Sequence, residues 1–402
     1  MWRAIAGGVT APQGYRAGAV SAGLKPSGAL DLTLIYSETP AVAAGALTTS
    51  QVRAACVTYC QEQLQAGHPI RAIVCNAGQA NAATGRQGWQ DACRTAAAFG
   101  QALGVAANQV LVASTGVIGQ LIPMDKLIQA IPGLIAITSP DGGDLAAQGI
   151  LTTDLVTKTV ALESTGLTPP VRVGGIAKGS GMIHPDMATL LAFITCDAPV
   201  DGQLWRDLVK AAVAVSFNQI TVDGDTSTND MLLALANGAA GGEPIQADSP
   251  AAATLGAMLR EVCIQLAKKV ARDGEGATCL IEVQVRGTAT DAEARQIART
   301  ISGSLLVKSA VFGRDPNWGR IAAAAGRAGV PFHPDDLAID LGAIPLMRAG
   351  QPIPFDREAA KQYLHADPVV IQVQVGNGAG VGCAWGCDLS YDYVRINAEY
   401  TT

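Results

Sequence analysis

Apolar residues in this chain fall into two rhythms that alternate along its length. Short apolar runs bounded by polar residues read as buried strands: Ala17–Ala22, Leu30–Tyr36, Ala72–Cys75, Gln109–Ala113, Leu190–Ile194 and Val369–Val375. Cys279–Arg286 alternates residue by residue, as a half-buried strand does. Between these runs the spacing turns helical. Thr49–Gln65, with Ser50 near its start, and the Ala-rich Gln87–Leu103 read as helices. Gln203–Phe217 places Leu204, Leu208, Ala211, Ala212 and Val215 on one side. The clearest helix is Pro250–Arg272: Ser249 caps it, Leu255, Leu259, Val262, Leu266 and Val270 form its stripe, and Lys268, Lys269 and Arg272 fill its last turns. Thr290-Asp291-Ala292-Glu293 is a capping box that opens another helix. Strands alternating with helices predict an α/β protein. The chain shows no repeat, low-complexity tract or long linker.

The stretch from Lys178 to Asp197 concentrates the chemistry. It begins as a Gly-rich turn, passes through His184-Pro185 and enters an apolar run at Leu190. Thr189 then stands at the start of a strand, either as an ordinary strand-initiating residue or as a nucleophile. A hydroxyl nucleophile needs a base beside it, and a Thr that becomes a chain N-terminus carries one, its α-amino group with a reference pKa of about 7.7–8.0. Lys178 beside a Gly-rich turn suits either a substrate carboxylate or the solvated surface. Gln109–Ala113 leads into Ser114-Thr115-Gly116, where a hydroxyl and a backbone N–H at a strand exit supply two donors for a developing oxyanion. Asn76 to Gly85 reads as a loop suited to turns and to backbone approach to a ligand.

Composition narrows the function classes. The chain has 402 residues, 49% hydrophobic and 15% charged, with a net charge of −6. That is globular, and it argues against a nucleic-acid or anionic-membrane surface. No apolar segment approaches the about 18 residues of a membrane span, and no secretory h-region is visible, so a cytoplasmic location is expected. Nine scattered cysteines suit reduced thiols. The Cys56/Cys60 and Cys383/Cys387 pairs lack zinc-ribbon spacing, Thr221–Asp230 lacks the EF-hand pattern, and no metal is expected. Gly376-Asn377-Gly378-Ala379-Gly380 is not followed by a helical pattern, so it is no dinucleotide fingerprint.

Gly179-Ser-Gly-Met-Ile-His-Pro-Asp-Met-Ala-Thr-Leu-Leu191 resembles the self-cleavage segment of the ornithine acetyltransferase family, the bifunctional glutamate N-acetyltransferases of arginine biosynthesis. Similar segments recur in order: Gly7–Tyr15, Asp31–Ala41, Asn76–Gly85, Leu151–Asp154, Thr221–Asp230, Asp273–Thr278, Ser309–Arg320 and Trp385–Thr402. Two departures are small: Asp186 stands where the family commonly has Asn, and Leu190 where it commonly has Met.

The resemblance implies an α/β, layered αββα-type sandwich, two sheets enclosed by helices, shared with self-processing aminopeptidases. It implies autocleavage between Ala188 and Thr189 into an α chain, 1–188, and a β chain, 189–402. Thr189 would be the nucleophile, and Thr115 and Gly116 the oxyanion hole. Substrate contacts would come from Thr152 (or its neighbour Thr153), Lys178, Thr189, Glu275, Asn397 and Thr402. The expected reaction moves acetyl from N-acetylornithine to glutamate by a ping-pong acetyl-Thr enzyme. No cofactor is implied, although acetyl-CoA is a possible co-substrate. The implied partners are amino-acid substrates and the two chains of the same precursor, assembled as a heterotetramer or larger. Arg314 and Arg320 suit either carboxylate binding or structural pairing. Two other readings fit the same residues: an N-terminal-nucleophile aminopeptidase or amidase, and a non-catalytic amino-acid-binding homologue.

Overall fold

The longest strand belongs to two ladders. In the computed structural model, which describes residues 1–184 and 190–399, β3 runs for 16 residues. The first half of the chain reads β1 (Trp2–Ala4), β2 (Tyr15–Val20), β3 (Leu32–Leu47), α1 (Ala55–Ala66), β4 (Ile70–Gln79), α2 (Gly85–Leu103) and β5 (Val110–Val117). It continues through α3 (Met124–Ile137), α4 (Gly143–Gly149), β6 (Lys158–Ser164) and β7 (Arg172–Lys178). The second half reads β8 (Leu191–Cys196), α5 (Gly202–Ala214), β9 (Ile220–Thr221), β10 (Met231–Ala236), α6 (Pro250–Arg272), β11 (Leu280–Thr288), α7 (Asp291–Ser302), α8 (Leu305–Phe312) and α9 (Trp318–Gly326). It ends with β12 (Ala338–Leu341), β13 (Ile344–Arg348), β14 (Gln351–Pro352), α10 (Arg357–Tyr363), β15 (Val369–Gln374), β16 (Gly380–Cys387) and α11 (Tyr391–Glu399).

These strands form a nine-stranded sheet, ordered β1-β6-β7-β8-β10-β3-β4-β5 with β2 also on β3, and a seven-stranded sheet, ordered β14-β13-β12-β15-β11-β16-β9. Leu32–Tyr36 of β3 pairs with β2 and β4, while Val42–Leu47 pairs with β10. The two stretches meet at Glu38-Thr39-Pro40, where all three residues are exposed and the ladder to β4 shifts register. A proline has no N–H to give a ladder, so the strand changes partners there. The expected end of the strand at Tyr36 is therefore corrected: the chain continues extended to Leu47.

Helix α6 joins the sheets, packing on β6 and β7 of the first and on β11 and β16 of the second. All five residues of its expected stripe are buried, and Ser249 Oγ accepts the Ala252 N–H as the cap. The expected stripe of α5 is corrected. Trp205, Val209, Ala212 and Val213 face inward, while Ala211 is exposed and Leu204 and Leu208 are half-buried. The indole is the largest apolar group on the helix, and its Nε1 donates to Ala234 O at 3.0 Å, which sets the rotation. Helix α1 starts at Ala55, because residues 50–53 form a turn closed by Ser50 Oγ and the Arg53 side chain. No helix among the described residues is long and apolar enough to cross a membrane, and all nine cysteines are free thiols.

Trp205→Ala should lower the free energy of unfolding by about 3–5 kcal/mol, whereas Ala211→Ser should change it by no more than about 0.5 kcal/mol. Denaturant unfolding of both variants checks the orientation of α5.

Candidate active site

A pocket of about 380 Å³ opens where segments distant in sequence meet. Its wall includes Thr115, Gly116, Thr152, Thr153, Lys178, Glu275 and Asn397. Every expected site residue among the described ones is thus on it. Ala188, Thr189, Asp186 and Thr402 lie outside the described residues. The nearest described neighbour, Leu190, accepts the Met231 N–H at 2.8 Å through its carbonyl. Leu191 then pairs with Lys178 on one side and Met231 on the other.

Thr115 and Gly116 belong to β5 itself, correcting their expected place on a turn beyond it. Strands β4 and β5 run parallel, and Gly116 pairs with Gly78. A Cβ on Gly116 would lie 2.2 Å from the Gly78 carbonyl carbon, and its φ is +131°. Glycine is required here by the approach of a neighbouring strand. The Asn76–Gly85 segment is corrected in the same way. Its first residues extend β4, Asn76 accepts the Ser114 hydroxyl at 2.7 Å, and Asn81 donates to Gly88 O at 2.9 Å. These side chains hold the scaffold behind Thr115, and Ala80 alone of the segment lines the pocket.

Lys178 ends β7 and is 9% exposed, which decides against a solvated surface lysine. Its Nζ donates to Thr115 Oγ1 at 3.4 Å and lies 4.0 Å from Asp154 Oδ2. Asp154 Oδ1 accepts from Lys158 Nζ at 2.6 Å and from the Gly179 N–H at 2.7 Å. Lys158 Nζ reaches Asp273 Oδ2 at 2.5 Å, and the same oxygen accepts the Leu155 N–H at 3.1 Å. Burial by itself raises the Asp154 carboxyl, but Lys178, Lys158 and the Gly179 N–H outweigh it and bring it down to about 2.

Asp273 is the C-cap of α6, so this cluster ties that helix to the strand that ends in Lys178. Two residues on, Glu275 donates its N–H to Ser180 O at 2.9 Å, and its Oε2 accepts from Asn397 Nδ2 at 2.8 Å. Gly181 faces that carboxylate, where a Cβ would sit 2.4 Å from Oε2. Asn397 lies on α11, a helix not anticipated from the sequence, which also brings Tyr393 to the pocket. The polar loop between β9 and β10 acts as scaffolding. Asp223 accepts the Met182 and Ile183 N–H groups at 2.6 and 2.9 Å, and Asn229 Nδ2 donates to Ser114 O at 2.8 Å. Asp223 and Asp225 also line the pocket, which sequence reasoning did not anticipate. Arg314 and Arg320 are structural: they donate to the Leu364 and Leu306 carbonyls and line no part of the pocket.

The arrangement offers a hydroxyl and a backbone amide on one strand, an ammonium beside that hydroxyl, and a carboxylate held by an amide. This set is complementary to an amino acid carrying an acyl group.

The ArgJ family profile matches residues 16–402. Among curated relatives, the arginine biosynthesis bifunctional protein ArgJ of a Synechococcus strain is 63% identical over 410 residues, covering 100% of this chain and 99% of that protein. The protein of the same name from a Synechocystis strain is 60% identical with the same coverage. The crystal structure of the arginine biosynthesis bifunctional protein from Bacillus halodurans aligns with a TM-score of 0.51 and 48% identity, covering 52% of this chain and 98% of that one.

Removing Lys158 would leave two buried carboxylates without their shared cation, so Lys158→Met should destabilise the fold by about 3–5 kcal/mol. In the native protein the Asp154 carboxyl is depressed, so its stabilisation is complete above the unfolded value near 4. That stabilisation, on the order of 2 kcal/mol, should fade as pH falls from about 4 through about 2. Chemical denaturation across that pH range, in wild type, Lys158→Met and Asp154→Asn, measures both.

Proposed function

The chain belongs to the ArgJ family and is an acetyltransferase of arginine biosynthesis, and from that premise we propose that it works through an acetylated Thr189 freed by self-cleavage. The observation that carries the proposal is the pocket itself. It gathers Thr115, Gly116, Thr152 and Lys178 from the segment before the proposed cut, and Glu275 and Asn397 from the segment after it.

In this reading water hydrolyses the Ala188–Thr189 peptide, leaving a carboxylate on Ala188 and a free α-amine on Thr189. The amine takes the proton of the Thr189 hydroxyl, which attacks the acetyl carbonyl of N-acetylornithine. The Thr115 hydroxyl and the Gly116 N–H donate to the oxyanion as the tetrahedral centre forms. Ornithine leaves with a proton, and the acetyl group stays as an ester on Thr189. Glutamate then attacks the ester through its amino group, releasing N-acetylglutamate and restoring the hydroxyl.

Lys178 pairs with the α-carboxylate of either amino acid. Glu275, oriented by Asn397, receives the cationic amine of ornithine, while Thr152 and Thr402 complete the contacts. The burial of Lys178 supports this role, because a desolvated ammonium attracts a carboxylate more strongly than an exposed one. The two chains stay together as a heterotetramer or larger assembly in the cytoplasm, and acetyl-CoA serves as a second acetyl donor. The half-length chain of the Bacillus halodurans relative supports a precursor cut near its middle.

Intact mass and N-terminal sequencing of the denatured protein should give two chains, 1–188 and 189–402, the second beginning Thr-Leu-Leu-Ala. Thr189→Ala should remain one chain and lose acetyl transfer; normal transfer by that variant would sink the proposal. Thr115→Val, assayed on its cleaved fraction, should lose about 10²–10³ in kcat.

A further inference from the structure

The active pocket is polar along most of its wall, and its apolar part is confined to two places. Among the described residues that line it, Ala80, Ile118 and Met182 alone carry aliphatic or thioether side chains; the others are polar, glycine or the ring of Tyr393. Met182 follows Gly181, which faces the Glu275 carboxylate, and its N–H donates to Asp223 Oδ2 at 2.6 Å. It therefore belongs with the residues assigned to the amino acid. Ala80 and Ile118 stand together elsewhere, each just past the end of a strand, β4 for Ala80 and β5 for Ile118. Ile118 comes two residues after Gly116. Both of its chain neighbours are tied to the exit of β4: Val117 O accepts the Ala80 N–H, and the Gly119 N–H donates to Ala82 O, each at 2.9 Å. Ile118 is thus clamped beside Ala80, half-buried and packed on the core.

An acyl oxygen held by the Thr115 hydroxyl and the Gly116 N–H leaves its carbon chain against whatever flanks those two donors. Lys178 Nζ, 3.4 Å from Thr115 Oγ1, occupies one flank and is assigned to a carboxylate. The flank that follows Gly116 is Ile118, with Ala80 beside it. An acyl methyl makes no hydrogen bond. Against the polar wall it would cover donors and acceptors without satisfying them, whereas here it buries carbon on carbon. Ala80 offers only a methyl group. Ile118 offers a side chain branched at Cβ and stiff at χ1, on a backbone clamped at both neighbours, so it does not swing aside for a longer chain.

We propose that Ala80 and Ile118 form the acyl subsite of the pocket, which takes a short straight-chain acyl group, and that Ile118 limits its length. The inference rests on the proposed oxyanion hole at Thr115 and Gly116. It does not depend on which atom carries the acyl group between donor and acceptor, so it is tested separately from Thr189.

The test measures kcat/KM for N-acetyl-, N-propionyl- and N-butyrylornithine, with glutamate as acceptor, on the purified protein and on Ile118→Val, Ile118→Ala and Met182→Ala. In wild type each added methylene should lower kcat/KM about tenfold or more. Ile118→Ala should raise the butyryl-to-acetyl ratio about tenfold or more, and Ile118→Val should raise the propionyl-to-acetyl ratio in the same direction. Met182→Ala should weaken all three donors alike. Each ratio compares donors on one protein sample, so an unfolded fraction cancels, and where Ile118→Ala is inactive the Ile118→Val ratio decides. Unmoved ratios in the Ile118 variants, equal use of acetyl and butyryl donors by wild type, or a shift in Met182→Ala as large as in Ile118→Ala overturns the proposal. Thr115→Val that keeps its kcat would instead count against the oxyanion hole. Loss of kcat in Thr115→Val beside unmoved acyl ratios counts against the subsite alone.

Discussion

The buried cluster of Asp154, Lys158 and Asp273 is the constraint on which the site depends. One carboxylate holds the Lys158 ammonium and the Gly179 N–H, and the other holds the same ammonium from the end of α6. Four structural units are fixed by it: the Thr152 loop, β6, the end of β7 and the turn that carries Glu275. Charges taken out of water are retained only where geometry and hydrogen bonds compensate their desolvation. Here they do, and the compensation holds only if all four units keep their places. Lys178 and Glu275 therefore stand on elements that the cluster fixes, and both side chains line the pocket wall, with Lys178 Nζ also 4.0 Å from Asp154 Oδ2.

The ladder would hold the site together across the proposed break in the chain. Strand β8 lies between β7 and β10, so Leu191 is held by Lys178 and Met231 regardless of what precedes it in sequence. Helix α6 also holds the same region, packing on β7 and on the second sheet. A chain end created beside Leu190 would meet a preformed wall, with strand pairing already completed on both flanks. That arrangement suits a nucleophile whose base is its own terminal amine, because neither group needs a separate element to bring it into place.

Much of this was legible in the order of residues, and the exceptions have physical causes. The α6 helix declared itself through cap, first-position proline, stripe and basic last turn, which all agree. The site residues came from resemblance, and the pocket brings the described ones together. What sequence could not convey was non-local. Lys158 and Asp273 stand 115 positions apart, and nothing in either segment announces the other. The apolar run of strand β3 was expected to end at Tyr36, yet a different partner, β10, extends the strand. In α5 the spacing fitted two faces, and the single indole decided between them. Gly116 was anticipated for a substrate and is demanded by the Gly78 backbone, a distinction visible only across a strand pair.

The central claim is that Thr189 carries the acetyl group between donor and acceptor. It is tested most directly by rapid acid quenching of the protein with N-acetylornithine in the absence of glutamate, followed by mass spectrometry of its peptides. The account predicts one acetyl group on the peptide that begins at Thr189, stable in acid and discharged when glutamate is added before the quench. An unmodified Thr189 peptide during active turnover, or acetyl on another side chain, would contradict it.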